Sequence, residues 1–225
     1  MDKIIEVKNL TKIYDDINKN IIVFENLSFS IIKGEFVSIL GPSGSGKTTL
    51  LNLLSTLDSH YNGEILFKGK DISKFSEREK EIFRSKETGF VFQMDMLLED
   101  FNVWENISLP YFILHNTMNK KKAFELLKKF NLEYIAQKNI KEISGGERQR
   151  VSVIRALINN PEIIFADEPT GNLDIDNAVI VIEDLKKMSK EGKTIIMVTH
   201  NMELAKKYSD KLYILTKNEL KNYEM

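Results

Sequence analysis

The sequence predicts an α/β fold with parallel strands, and three observations carry that expectation. Short apolar, β-rich runs alternate with stretches of helical periodicity toward the C-terminus, the pattern of helices laid over a parallel sheet. A turn rich in glycine and serine joins one of these runs directly to a leucine-rich helix. Another run stops at two adjacent carboxylates, Asp167 and Glu168, which is where α/β sheets place their ligands.

The elements follow in order. Up to about Lys70, apolar runs at 4–7, 21–24, 27–32, 36–40 and 65–67 are punctuated by Gly34, Gly41, Gly63 and Gly69, which reads as strands joined by tight turns. One helix interrupts them, from Gly46 to about Leu57, with Leu50, Leu51, Leu53, Leu54 and Leu57 at helical spacing on a buried face. From about Met94 to Asn160 the chain reads mostly helical. Ala123, Phe124, Leu126, Leu127 and Phe130 recur at helical intervals among lysines, and a second helix is expected from near Gly146 to Leu157 or Ile158. Strand and helix then alternate again, with β-rich runs at 163–166 and 194–199 flanking an amphipathic helix over 178–188. The 225 residues suit one globular unit, or one core with an appended subdomain, without internal repeats or a long linker.

Composition excludes several function classes. The chain carries 32 Lys+Arg against 33 Asp+Glu, so it lacks the basic imbalance of a nucleic-acid binder, and none is expected as a partner. It has no Cys, which removes disulfides and thiolate metal sites and suits a reducing compartment. No apolar run approaches the roughly 20 residues of a membrane helix, and the N-terminus lacks a secretory signal. The expectation is a soluble protein without direct membrane insertion, whose membrane role would come through a partner.

The run at 36–40 leads into Gly41-Pro42-Ser43-Gly44-Ser45-Gly46-Lys47-Thr48, followed by Thr49. This is a P-loop: small residues let backbone N–H groups turn inward around phosphate oxygens at the positive end of the next helix. Lys47 would bring charge to the β- and γ-phosphates, and Thr48 a hydroxyl to Mg²⁺. Asp167 would hold Mg²⁺ through water. Glu168, expected to face the other way by strand alternation, could polarise an attacking water. Taken alone, the acidic pair before Pro169 is an ordinary strand end; the P-loop upstream gives it a task. Adenine fits better than guanine as the base. The nearest approach to a guanine-reading motif, Thr216-Lys217-Asn218-Glu219, ends in Glu and lies in an expected β-turn.

At Ser144-Gly145-Gly146-Glu147-Arg148-Gln149-Arg150 the sequence resembles the ABC transporter ATPase family, whose signature is a Ser-Gly-Gly tripeptide opening a helix. Other positions match in order along nearly the whole chain: Tyr14 the aromatic that stacks on adenine, Gln93 the Q-loop glutamine, Asn172-Leu173-Asp174 the D-loop, and His200 the switch histidine. His60 and His115 match nothing. The resemblance implies a P-loop NTPase (RecA-like) core with an antiparallel β subdomain and a helical subdomain. Residues 1–93 and 161–225 would form the core with the β subdomain, and about 94–160 the helical part. It implies ATP and Mg²⁺ as cofactors, with Lys47, Gln93, Glu168 and His200 in catalysis and Thr48, Gln93 and Asp167 at the metal. Tyr14, residues 41–49, Ser144, Gly145, Gly146 and Asp174 would contact nucleotide. The signature serine and glycines would meet the γ-phosphate held by a second cassette. A homodimer, peripheral on the inner face of the cell membrane and coupled to transmembrane permease subunits, is therefore expected.

Within the family, Ser144–Arg150, Asp167-Glu168-Pro169-Thr170-Gly171-Asn172-Leu173-Asp174 and Leu50-Leu51-Asn52-Leu53-Leu54 resemble the branch of lipoprotein-releasing systems, macrolide and peptide exporters and the cell-division cassette. Leu97-Leu98-Glu99-Asp100-Phe101 and Asn159-Asn160-Pro161 lean toward the lipoprotein-releasing ATPase. Glu99, Asn102 and Trp104 depart from the branch pattern just after Gln93, in the segment that touches the membrane subunits of relatives. Two alternatives stand beside export: a cassette that regulates a membrane complex, and a soluble ATPase acting on DNA or ribosomes. The latter would bring coiled-coil insertions, zinc cysteines or tandem cassettes, and this chain has none of them.

Overall fold

The computed structural model describes residues 2–14, 20–216 and 219–223. Ten strands are present among them: β1 (Lys3–Tyr14), β2 (Ile21–Ile32), β3 (Phe36–Leu40), β4 (Asn62–Phe67), β5 (Lys70–Asp71), β6 (Thr88–Val91), β7 (Ile163–Asp167), β8 (Thr194–Thr199), β9 (Lys211–Leu215) and β10 (Leu220–Tyr223). The α-helices are α1 (Lys47–Leu54), α2 (Glu77–Ile82), α3 (Val103–His115), α4 (Lys120–Lys129), α5 (Gly145–Arg155), α6 (Ile175–Lys190) and α7 (Met202–Tyr208).

Two sheets form. The smaller is antiparallel, in the order β2-β1-β4-β5, and the larger runs β10-β9-β3-β8-β7-β6. In the larger sheet β9, β3, β8, β7 and β6 are parallel and only β10 pairs antiparallel. Every residue of β3 and β8 is buried, as expected of central parallel strands covered on both faces. Side-chain alternation splits these strands between two cores. Ile164, Ala166, Ile195 and Met197 face a core shared with α3, α4, α5 and α6. Ile163, Phe165, Ile196 and Val198 face one shared with α1 and the small sheet. Helices α2, α3 and α5 each open on a capping box, at Ser76/Glu79, Asn102/Glu105 and Ser144/Glu147.

Several expected boundaries shift, each for a local reason. Helix α1 ends at Leu54 and not near Leu57, because Thr56 takes φ 63° and the N–H groups of Leu57 and Asp58 both turn back to the Asn52 carbonyl. Leu57 is consequently 50% exposed and not on a buried face. The runs 21–24 and 27–32 are one strand carried through Asn26 at φ 53°, whose N–H is taken by Thr11 Oγ1. Strands β6 and β10 and helices α2 and α7 were not anticipated. The β-turn expected at 216–219 includes residues 217 and 218, which lie outside the described residues; at its ends Thr216 N donates to the Glu219 carbonyl at 2.8 Å.

Candidate active site

Four neighbouring parallel strands, β3, β8, β7 and β6, deliver candidate residues from their C-terminal ends. The pairing Leu40↔Thr199, Val198↔Asp167 and Ala166↔Val91 aligns those ends side by side. Leu40 leads into the phosphate loop, Thr199 into His200, Asp167 into Glu168, and Val91 by way of Phe92 into Gln93. This is where open α/β sheets bind ligands.

The loop after β3 has the backbone that its glycines allow. Gly44 and Gly46 take φ 76° and 91°. A Cβ at Gly41 would stand 2.5 Å from the Leu215 carbonyl oxygen, and one at Gly46 2.4 Å from Val23 Cγ1. Helix α1 begins after Gly46 with no side chain capping it, so its first N–H groups are left for an external acceptor. Pro42, Ser43 and Gly44 are exposed, while Ser45 is buried and its hydroxyl has no partner. Lys47 lies over the loop, donating to the carbonyls of Gly41 (2.9 Å) and Pro42 (3.2 Å), with Glu168 Oε1 at 4.0 Å. Thr49 is half-buried behind it.

Thr48 Oγ1 donates to Asp167 Oδ1 at 3.1 Å, joining the P-loop to the end of β7. Burial pushes the Asp167 carboxyl above its ordinary value, with the Glu168 charge adding to it and the Thr48 hydrogen bond and Lys47 opposing. Glu168 lies beyond the strand at φ 45°, an uncommon backbone for a side-chain-bearing residue, while its N–H still reaches the Val198 carbonyl. Its orientation therefore comes from this left-handed turn and not from strand alternation. Glu168 Oε2 accepts from the His200 N–H at 3.2 Å and lies 2.9 Å from His200 Nδ1. A carboxylate can only accept, so Nδ1 carries the proton in that bond.

The other expected residues lie further out. The Gln93 carbonyl accepts from Asn172 Nδ2 at 3.3 Å, and a Cβ on Gly171 would stand 2.9 Å from Gln93 Nε2. Gln93, Asn172, Leu173 and Gly145 line one hollow of about 520 Å³. Asp174 is the N-cap of α6, accepting from Asn177 N at 2.9 Å and Nδ2 at 2.7 Å. Ser144 opens α5 and its Oγ donates to Glu147 Oε2 at 2.8 Å, so this helix start, unlike that of α1, carries an internal carboxylate cap. Among the described residues no hydrogen bond or ion pair joins Ser144, Gly145 or Gly146 to the phosphate loop. Tyr14, 44% exposed, ends β1, and its hydroxyl donates to Asp58 Oδ2 at 3.4 Å. Sequence reasoning passed over Lys12 and Asp58, which the fold sets beside Tyr14. Nothing in the mixed polar and apolar residues of this strand marks Lys12 for burial.

The donor set fits a nucleoside triphosphate with a hard divalent cation. An uncapped helix start, inward-turning glycines, a lysine and an orphaned serine hydroxyl suit phosphate oxygens. A hydroxyl and a half-buried carboxylate at 3.1 Å suit Mg²⁺. Among the described residues no group of three or more His, Cys, Asp or Glu could hold a metal alone, so phosphate oxygens would complete its shell.

Comparison with known proteins agrees with this geometry. Residues 24–171 match the family model described as ABC transporter. The lipoprotein-releasing system ATP-binding protein LolD of Wigglesworthia glossinidia brevipalpis is 46% identical over 214 residues, covering 94% of this chain and 93% of the relative. An uncharacterized ABC transporter ATP-binding protein of Methanocaldococcus jannaschii is 44% identical, covering 96% of this chain and 97% of the relative. Among solved structures, the cassette MJ0796 in a dimeric post-hydrolysis state bound to ADP and Pi superposes with a TM-score of 0.87 at 35% identity, covering 98% of both chains.

Proposed function

The chain belongs to the ABC transporter family and is an ATP-binding, ATP-hydrolysing cassette, and on that premise we propose that two copies close head-to-tail over two ATP molecules and drive separate membrane subunits in lipoprotein release or export. In this reading Lys47 and the loop N–H groups bind the β- and γ-phosphates. Thr48 and Asp167 would hold Mg²⁺, with Gln93 reaching it from the neighbouring hollow once nucleotide is in place, and the ion when bound neutralises charge on the transferring phosphoryl group. Glu168 orients the attacking water and accepts its proton, His200 turns its ring N–H from Glu168 toward the γ-phosphate when ATP binds, and Tyr14 stacks on adenine.

One observation carries the second copy. A Cβ added at Gly145 would meet nothing within 4 Å, whereas one at Gly146 would strike Asn177 Oδ1 at 2.2 Å. Packing inside the chain explains the second glycine and leaves the first without a reason. A partner's phosphate approaching the start of α5 supplies one, and the dimeric cassette bound to ADP and Pi supports it.

A groove supports the membrane partner. It has a volume of about 960 Å³ and is lined by Ile82, Phe90, Phe92, Leu98, Leu109 and Ile113 among others. Met96, Leu98 and Ile113 are 57%, 49% and 77% exposed along it, an adaptable apolar surface supplied in part by the segment after Gln93. No helix among the described residues is long and apolar enough to cross a membrane. Two relatives named LolD, at 46% and 43% identity, support lipoprotein release as the leading case.

The test is a pull-down with Glu168→Gln, held closed by ATP, from solubilised membranes of the host, followed by mass spectrometry. Recovery of a few-helix membrane protein with a large extracytoplasmic domain is expected. Recovery of soluble partners alone, with ATPase stimulated by DNA or ribosomes and not by membranes, would overturn it.

A further inference from the structure

Lys12 is the most deeply buried charged side chain in the small sheet. The residue is 1% exposed, although a lone buried ammonium is among the costliest groups to place in a fold. Its three N–H donors have three acceptors. Asp58 Oδ2 lies at 2.7 Å, the His60 carbonyl at 2.7 Å, and the Tyr14 ring centroid at 4.4 Å. Asp58 is committed in return, accepting from the His60 N–H at 3.0 Å and from the Tyr14 hydroxyl. Burial raises its carboxyl, but the His60 N–H and Lys12 outweigh that and hold it below its ordinary value. The His60 imidazole is 93% exposed, with Nδ1 3.7 Å from Asp58 Oδ1, so its backbone makes the closer contacts to the cluster.

The strand itself is bent to make this arrangement. The pairing of β1 with β2 shifts register on both sides of Lys12, between Leu10 and Lys12 and again between Lys12 and Ile13. Such bulges re-aim side chains. Lys12 and Tyr14, two residues apart on the strand, share a face, so the ammonium lies against one side of the ring. Opposite Lys12 in the ladder is Phe24, whose ring would lie 3.2 Å from a Cβ at Gly46 of the phosphate loop. Asp58 follows α1, the helix that starts at that loop; eight residues make it about 12 Å long. Through Asp58, Lys12 ties the aromatic ring to the far end of the helix whose near end faces the phosphates.

We propose that Lys12 is a positioning residue for nucleotide binding, clamping one face of the Tyr14 ring so that the other stands at a fixed distance from the phosphate loop to receive the base. The inference rests on the reading of Tyr14 as the base-stacking residue. It assigns a role to a buried charge that takes no part in hydrolysis.

The experiment compares Lys12→Met, Asp58→Asn and Tyr14→Ala in the full chain, measuring ATPase kinetics and calorimetric binding of ATP and of inorganic tripolyphosphate. Lys12→Met is expected to raise KM for ATP about 3- to 30-fold, the range of a desolvated cation–π contact, with kcat within about twofold. Tripolyphosphate has no base, so its affinity is expected to stay within about twofold. Tyr14→Ala is expected to raise KM about 10- to 100-fold. Equal weakening of ATP and tripolyphosphate in Lys12→Met would overturn the inference, because the charge would then only support the fold. An unchanged KM in Lys12→Met beside a raised one in Tyr14→Ala would overturn it and leave Tyr14 as the stacking residue. An unchanged KM in Tyr14→Ala would remove the premise and the inference together. If Lys12→Met does not fold, Asp58→Asn decides: a several-fold rise in KM for ATP with tripolyphosphate unaffected supports the clamp, and no rise overturns it.

Discussion

Glu168 takes a left-handed backbone at φ 45° and holds His200 through one carboxylate oxygen, leaving Oε1 4.0 Å from Lys47. Gln is isosteric and bears the same backbone strain, so Glu168→Gln is expected to fold and bind ATP normally. Its turnover, measured by phosphate release, is expected to fall about 10²- to 10⁴-fold, the contribution of a positioned base. Its neighbour Asp167 is held above its ordinary value by burial. A carboxyl with a raised folded pKa binds its proton longer in the folded state. Its contribution to stability is complete below the ordinary value and is lost as pH rises through the raised one. At neutral pH the half-buried charge is a liability in the protein alone, so Asp167→Asn is expected to melt no lower than the parent without nucleotide. The same variant is expected to lose the stabilisation that ATP with Mg²⁺ gives the parent, and scanning calorimetry with and without ligand checks both. The acidic pair was legible because a strand that stops at two carboxylates downstream of a P-loop has few other uses. The turn that aims Glu168 was not, since nothing in the sequence marks a glutamate for positive φ. Lys12 was equally hidden: a lysine in a strand reads as solvent-facing until the fold closes around it.

The helices α1 and α5 both begin at glycines, and their starts differ. Helix α1 has no side-chain cap, whereas α5 is closed by the Ser144/Glu147 box, with Tyr134 OH donating to Glu147 Oε1 at 2.7 Å. On the proposed reading the first would bind phosphate with its own backbone, while the second, already capped within the chain, would meet a partner's phosphate at its rim. Gly145→Ala meets no neighbour and is expected to stabilise the fold by about 0.5–1 kcal/mol through helix propensity, while abolishing ATP-dependent dimerisation. Gly146→Ala must displace the Asn177 amide from Asp174 and is expected to lower stability by about 1 kcal/mol. Thermal melts beside sedimentation in ATP separate the two effects. Periodicity made α4, α5, α6, β3 and β8 legible, since their apolar spacing is a direct image of burial. Strand β6 escaped because Thr88 and Gly89 break its apolar run, and Gly89 is needed only because the Ala156 carbonyl would lie 2.4 Å from a Cβ there. The end of α1 was misjudged for a similar reason: Leu57 continues the leucine spacing, but Thr56 has already turned the chain.

At the scale of the molecule, the proposed function makes the phosphate loop and the start of α5 two half-sites that a second copy completes, and the groove a seat for a membrane subunit. The departures noted after Gln93 have local uses: Asn102 caps α3, Glu99 pairs with Lys141 at 3.1 Å, and Trp104 packs half-buried with Lys120 over its ring. ATP binding to two shared sites favours the closed pair because each nucleotide gains contacts in that state that it lacks in the monomer. In the proposed cycle hydrolysis would remove that preference and reopen the pair, and the segment after Gln93 would carry the motion to the membrane subunits. The most direct test is multi-angle light scattering of Glu168→Gln with and without ATP and Mg²⁺. A shift from 26.0 kDa to twice that mass in ATP, reversed by removing nucleotide, is the expected result. A mass that stays at 26.0 kDa while calorimetry shows ATP bound would contradict the shared-site dimer on which the transport cycle depends.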